Sequence, residues 1–95
     1  MPTQITQIDN SAQGLTTLRV EGDMLVEDAR ILETIGVRVR AETGNRIMID
    51  LADLAFLDSE SAPLLRRLNE RDGFEIQGVE IFLQSLINQA ERSGT

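Results

Sequence analysis

The segment RIMIDL, residues 46–51, carries a nearly continuous apolar run from Ile47 to Leu51 that includes β-branched residues. A run of this kind between two segments of helical period is typical of a central strand covered on at least one face. Strands that alternate with helices predict an α/β fold whose neighbouring strands are parallel. With 95 residues, the chain has room for one hydrophobic core but not for two. We therefore expect a single domain over residues 1–95.

The segments before this run predict a hairpin followed by a helix. Residues 5–9 alternate loosely, as in an edge strand, and the clearer alternation of residues 15–22 predicts the antiparallel partner. Over residues 27–42 apolar side chains recur at helical spacing, with Ile31 among them. Gly44 suits the left-handed position just after a helix. The N-terminal half is therefore expected to fold as β-β-α and to lead into the central strand.

The segments after the run predict two more helices and one more strand. A stripe of leucines follows Pro63 and stops at Gly73, residues 74–78 form a short strand segment, and residues 79–92 have the period of a final helix. The predicted order is β-β-α-β-α-β-α. We expect an α/β domain with a mixed sheet of four to five strands and an N-terminal β-hairpin. About three to four helices are expected to pack mainly on one face of that sheet.

The residue types that are absent limit the possible chemistry. The chain contains no cysteine and no histidine, which excludes disulfide bonds, Cys/His zinc sites and Ser-His-Asp catalysis. It also lacks the Walker A, dinucleotide-binding and HExxH motifs. Asp50 and Asp53 are better explained by turn-making near a strand end than by a catalytic carboxylate pair. We therefore expect a protein that is not an enzyme and needs no cofactor.

The charge of the chain indicates which partners it can have. The formal net charge is −7, whereas binding to nucleic acid needs clustered basic residues and binding to anionic lipid is opposed by acidity. A protein partner with a basic face fits, although an acidic surface also favours solubility by itself. The N-terminus lacks the features of a signal peptide, and no segment has the roughly 20 apolar residues needed to span a bilayer. We expect a cytoplasmic domain with no nucleic-acid partner and no direct membrane insertion.

The stretch FLDSESAP, residues 56–63, predicts a helix entry. Pro63 has no amide hydrogen and fits only in the first turn, which places the start of the helix near residues 58–61. Asp58, Ser59 and Ser61 are all suitable N-cap residues, and the charge of Glu60 suits the positive end of the helix. The same free amides would favour a phosphate on a serine at this place, while Asp58 and Glu60 would repel it. From these residues alone, Ser59 is either a cap or a phosphorylation site.

Three segments resemble the STAS domain, the family of anti-sigma-factor antagonists and of the cytoplasmic tails of sulphate transporters. They are LRVEGDM at residues 18–24, IMIDLADLAFLDSES at residues 47–61 and FEIQGV at residues 74–79. The resemblance covers nearly the whole chain and implies a STAS-type fold. It also implies that Ser59 is the phosphoacceptor of a serine kinase, which supplies ATP and Mg²⁺, and that Asp58 matches the aspartate before it.

The resemblance also implies a surface for a protein partner. In the family the loop after the second strand, here Gly22, Asp23 and Met24, belongs to the same partner face as the helix entry. This sequence has Glu60 and Ser61 where the usual motif D-S-S-G has its second serine and its glycine. Residues 22–24, 58, 60 and 61 are thus the expected partner-binding residues.

Two functions are compatible with these residues. The first is an anti-sigma factor antagonist that binds an anti-sigma factor or serine kinase and controls transcription by partner switching. The alternative is a small STAS subunit that binds the ATPase of a bacterial lipid-trafficking ABC transporter, a role that needs no phosphorylation. Of the neighbouring residues, Phe56 and Leu57 are expected in the core, and Arg66 and Arg67 on a solvated helix face. Met24 is expected to be exposed in the loop or to fill a gap in the core.

Overall fold

The computed structural model describes residues 2–80, which form four strands and two helices in the order β-β-α-β-α-β. The elements are β1 Gln4–Asn10, β2 Leu15–Met24, α1 Val26–Thr43, β3 Arg46–Leu57, α2 Ser61–Glu70 and β4 Glu75–Gln77. The predicted order is confirmed as far as the description extends. The final helix predicted over residues 79–92 lies, except for its first two residues, outside the described part of the chain.

The four described strands form one mixed sheet in the order β1-β2-β3-β4. β1 and β2 pair antiparallel as the predicted hairpin, and β3 pairs parallel with both β2 and β4. The central position of β3 agrees with its apolar run, because an inner strand of a sheet loses most of its contact with water. The prediction of an α/β domain with an N-terminal hairpin is therefore confirmed.

One hydrophobic core joins the sheet to both helices. β2 contributes alternate side chains such as Leu18 and Val20, α1 contributes Leu32, and α2 contributes Leu65 and others. Strand side chains alternate between the two faces, so the buried residues of β2 all lie on one side of the sheet. Arg19, on the other side of β2, is exposed. The helices therefore cover the buried side.

Helix α1 follows the predicted segment closely. It extends one residue beyond the predicted range at each end, and Gly44 after it has a φ of 73°, the left-handed conformation that was expected. Gly36 lets this helix approach Phe74, because a Cβ atom at residue 36 would lie 2.6 Å from the Phe74 ring. Ile31 was expected on the buried stripe but is half-exposed, so the apolar face of α1 is narrower than its sequence indicates.

Strand β3 is much longer than the predicted run at residues 47–51. It continues to Leu57, and its pairing with β2 shifts register twice, between Arg19 and Glu21 and between Gly22 and Asp23. At each shift β3 contains one residue more than β2, as in a β-bulge. Asp50 and Asp53 therefore lie within the strand, and their explanation as turn residues at a strand end is wrong.

In the described part of the chain, neither helix has both the length and the apolar character needed to cross a membrane.

Candidate functional site

The predicted site residues meet at the edge of the sheet where the parallel strands β2 and β3 end. The amide of Asp58 donates a hydrogen bond to the carbonyl oxygen of Met24, with an N···O distance of 2.9 Å. The end of β2 leads into α1 and the end of β3 leads into α2. This bond joins the two strand ends, so residues 22–24 and residues 58–61 lie together.

The start of α2 is built by Asp58. Its side-chain Oδ1 accepts a hydrogen bond from the amide of Glu60 at 3.1 Å, and its carbonyl oxygen accepts one from the amide of Ser61 at 2.8 Å. The helix begins at Ser61, which leaves Pro63 in the first turn as predicted. The N-cap residue is Glu60, with no capping bond from its side chain. None of Asp58, Ser59 and Ser61 therefore occupies the N-cap position, although the Asp58 side chain does accept an amide hydrogen at the start of the helix.

Glu60 occupies the N-cap position, but its side chain makes no capping bond because its backbone is helical there. An N-cap residue normally adopts an extended conformation, which turns its side chain towards the amides of the first turn. Glu60 has φ −75° and ψ −18°, which are helical values. Its exposed carboxylate still contributes a negative charge near the positive end of the helix dipole.

Ser59 is exposed, one residue before the N-cap. Together with Ala62, Pro63 and Arg66 it lines a surface depression of about 350 Å³. The Arg66 side chain is 78% exposed and forms only a loose pair with Glu70, with an Nε···O distance of 3.8 Å. The depression thus combines an accessible hydroxyl group with a guanidinium group that can reorient at little cost, since exposed pairs of this kind contribute little to stability.

Ser61 differs completely from Ser59. It is fully buried, and its Oγ finds no hydrogen-bond partner among the described residues. A buried hydroxyl group without a partner is costly, by about 1–3 kcal/mol. A kinase could not reach this hydroxyl without opening the start of the helix. Of the two serines in the motif, only Ser59 is available for modification.

Gly22, Asp23 and Met24 do not form a loop. They are the last three residues of β2, and Gly22 is buried with a φ of 87° at the second register shift. A residue with a side chain would be strained at this φ, so the glycine allows the strand to bend here. Asp23 is half-buried, and its carbonyl oxygen shares the hydroxyl hydrogen of Thr3 with the carboxylate of Asp28.

Met24 has 0% of its surface exposed and belongs to the hydrophobic core. The expectation that it is exposed in a loop is therefore wrong, and the gap-filling alternative is correct. Phe56, expected in the core, is instead 49% exposed. Leu57 is half-buried and packs against the core as expected.

Leu25 is a second exposed apolar residue at this edge, with 44% of its surface accessible. Sequence patterns alone did not identify Leu25 and Phe56 as surface residues. For Phe56 the apolar segment around it gave no signal, because its exposure depends on the second register shift in β3.

The residues at this edge of the sheet carry mainly negative charge. Residues 21–28 and 53–60 together contain seven carboxylates and neither lysine nor arginine. The nearest basic group along β2 is Arg19, whose Nε donates a hydrogen bond to Asp53 at 2.7 Å and lies 3.7 Å from Glu21. The hydrogen bond and the charge of Asp53, with a further contribution from Glu21, raise the pKa of Arg19 above its ordinary value. The rest of the edge keeps an excess of negative charge.

Across residues 2–80, no group of three or more carboxylates is arranged to hold a metal ion.

No model of a known protein family matches the chain. A search of curated proteins likewise finds no match.

Proposed function

We propose that this chain is a STAS-type protein-interaction domain, without enzymatic activity of its own, whose partner binding is switched by phosphorylation of Ser59. The observation that carries the proposal is the contrast between the two serines of the motif, because Ser59 is exposed beside Arg66 whereas Ser61 is fully buried. The segments that resemble the STAS family support the domain type. The partner is an anti-sigma factor or a serine kinase of that class, in the cytoplasm.

In the proposed reaction the Ser59 oxygen attacks the γ-phosphorus of ATP bound to the partner kinase. A new O–P bond forms at Ser59 while the bond between the γ-phosphorus and ADP breaks, and the hydroxyl proton passes to a base of the kinase. The kinase supplies ATP and Mg²⁺, so this chain needs no cofactor. Its own contribution is to present a free hydroxyl group at the fixed start of α2.

The phosphate would meet opposing charges. It adds about −1.5 to −2 charges at neutral pH, between Asp58 and Glu60 on the chain. The exposed guanidinium of Arg66 lines the same depression as Ser59 and can swing towards the phosphate, which offsets part of the repulsion. The domain therefore tolerates the modification, which changes the shape and the charge of the surface that the partner meets.

The test is incubation of the intact chain with its serine kinase and ATP, followed by mass spectrometry. We expect the mass to rise by one phosphoryl group, Ser59→Ala to abolish the increase, and Ser61→Ala to retain it because residue 61 is inaccessible. An unmodified mass, with the kinase active on a second substrate, would contradict the proposal. So would modification that is lost in Ser61→Ala and retained in Ser59→Ala.

The second candidate function is a subunit that binds the ATPase of a lipid-trafficking ABC transporter. The observation that favours it is the exposed Glu60 beside Ser59, because a permanent negative charge at the helix start suits a partner that does not depend on phosphorylation. The neighbouring genes distinguish the two functions. Genes for an ABC ATPase and permease would support this second function, and a gene for a GHKL-type kinase would support the first.

A further inference from the structure

Leu25 and Phe56 lie at the ends of the paired strands β2 and β3, on the sheet face that the two helices leave uncovered. In the parallel pairing of β2 with β3, Asp23 is opposite Phe56 and Met24 is opposite Leu57. Opposite residues of paired strands point to the same face, so the buried Met24 marks the core side and Phe56 lies on the other. Leu25 is extended, with φ −99° and ψ 171°, so it points to the face of Asp23.

Neither side chain is needed to fill the core. Both leave nearly half of their surface in contact with water, although the residues beside them, Met24 and Leu57, are buried or half-buried. Large apolar side chains that are scattered singly on a surface are ordinary, whereas a contiguous exposed apolar patch marks an interaction site. We call the surface formed by Leu25, Phe56 and the acidic residues around them the acidic edge.

Some carboxylates of the acidic edge form hydrogen bonds or ion pairs within the described part of the chain, and others do not. Asp28 accepts hydrogen bonds from the Leu25 amide and the Thr3 hydroxyl group, and Asp53 is paired with Arg19. Glu27 and Glu60 are exposed, and neither has an ion pair within the described residues. Their charges are therefore available to a partner.

We propose that Leu25 and Phe56 are the apolar centre of a docking surface for a basic, amphipathic segment of a partner protein. Apolar side chains of the partner would cover these two residues, and its lysines or arginines would face Glu27 and Glu60. A central apolar contact with charged residues at its rim is the usual arrangement of protein interfaces. The inference rests on the proposed partner-binding function and specifies the kind of surface that the partner presents.

The charge of the chain argues against two other occupants. A second copy would bring its own acidic edge and a net charge of −7 against this one, which is repulsive at the rim. An anionic membrane would be repelled for the same reason. A basic protein segment is the occupant that satisfies both the apolar centre and the charged rim.

The test uses a synthetic amphipathic helical peptide of leucine and lysine, and its counterpart in which glutamate replaces lysine. Binding to the intact ¹⁵N-labelled chain is followed by NMR chemical shifts. We expect the lysine peptide to shift residues 23–27 and 56–60, to bind more weakly as salt rises, and to lose about tenfold in affinity with Phe56→Ser. The glutamate peptide should not bind.

The matched control is Ile8→Ser. Ile8 is 48% exposed, pairs with Thr17 and so lies on the same open face, at the end of the sheet far from the acidic edge. We expect this variant to change the affinity by less than about twofold. Leu25→Ser provides a second variant at the edge, which decides the matter if Phe56→Ser does not give a well-dispersed spectrum.

Three results would overturn the proposal. One is equal loss of affinity in Ile8→Ser and Phe56→Ser, which would indicate non-specific attraction to an acidic protein. Another is the absence of shifts at residues 23–27 and 56–60. The third is self-association of the wild-type chain in sedimentation that Phe56→Ser abolishes, because the occupant would then be a second copy. No kinase is used, so failure here is separate from failure of the proposed phosphorylation of Ser59.

Discussion

Two helices begin at the same edge of the sheet, and they satisfy their first amides in different ways. At the start of α1 the Asp28 carboxylate accepts the Leu25 amide at 2.9 Å and the Thr3 hydroxyl group at 2.7 Å. At the start of α2 the N-cap side chain makes no such bond, and the Ser61 Oγ is buried without a partner among the described residues. The start of α1 is closed by a carboxylate of the helix itself, whereas α2 relies on Asp58 before the helix and leaves the Ser61 hydroxyl group without a partner among the described residues.

The difference indicates where a function can act at the lowest structural cost. The first four amides of any helix lack partners within the helix, and they are satisfied by capping side chains, water or a ligand. A new group at the start of α1 would have to displace Asp28. At the start of α2 a phosphate on Ser59 would meet one side-chain bond, the 3.1 Å bond that Asp58 accepts from the Glu60 amide, because Glu60 itself makes no capping bond.

The largest loss of stability is expected from a substitution at the end of one of the two strands that precede the helices. Met24 before α1 is fully buried, so Met24→Ala should lower the free energy of unfolding by about 2–5 kcal/mol. Phe56 before α2 is half-exposed, so Phe56→Ala should cost about 1 kcal/mol or less. Urea denaturation of both variants checks this order. Equal losses would show that Phe56 supports the core and would remove the contrast between the two strand ends.

The elements with a clear period were predictable from the sequence. The hairpin, α1 with Gly44 after it, and the order of strands and helices all depend on local alternation and on local stop signals. The burial of Met24 and the exposure of Phe56 were not predictable in this way. They depend on two register shifts between β2 and β3, and a bulge of this kind is a property of the pairing of two strands. The apolar run itself contains no sign of it.

Only part of the candidate site was predicted from the sequence, because the rest depends on the backbone path and not on local residue types. Pro63 located the helix entry correctly, because a residue without an amide hydrogen fits only the first turn. The identity of the cap was wrong, because it depends on the backbone angles of Glu60 and not on the residue types that are good caps. The difference in burial between Ser59 and Ser61 follows from that backbone path, and only the fold reveals it.

Alanine substitutions of Asp28 at the start of α1 and of Asp58 at the start of α2 compare the two helix starts directly. Asp28→Ala should lower the free energy of unfolding by about 1–2 kcal/mol, because it removes bonds to the Leu25 amide and the Thr3 hydroxyl group together with a charge favourable to the dipole. Asp58→Ala removes one longer bond, 3.1 Å to the Glu60 amide, and should cost about 0.5 kcal/mol. Thermal unfolding of the two variants measures the difference. A larger loss for Asp58→Ala would show that α2 has the more firmly closed start.

The smallest expected effect is a gain in stability, and it comes from Ser61→Ala. Ser61→Ala removes a fully buried hydroxyl group that has no partner in the described structure, and it leaves the backbone amide bonded to Asp58. Because no hydrogen bond is lost and an unsatisfied polar atom is removed, we expect the free energy of unfolding to rise by about 0.5–1 kcal/mol. Alanine is also a good helix former at the first helical position. The chemical shifts of Ser59 should stay close to those of the wild type, which controls for a changed helix start. A loss of stability in Ser61→Ala would mean that the Ser61 hydroxyl group has a partner after all, and the start of α2 would then be as complete as that of α1.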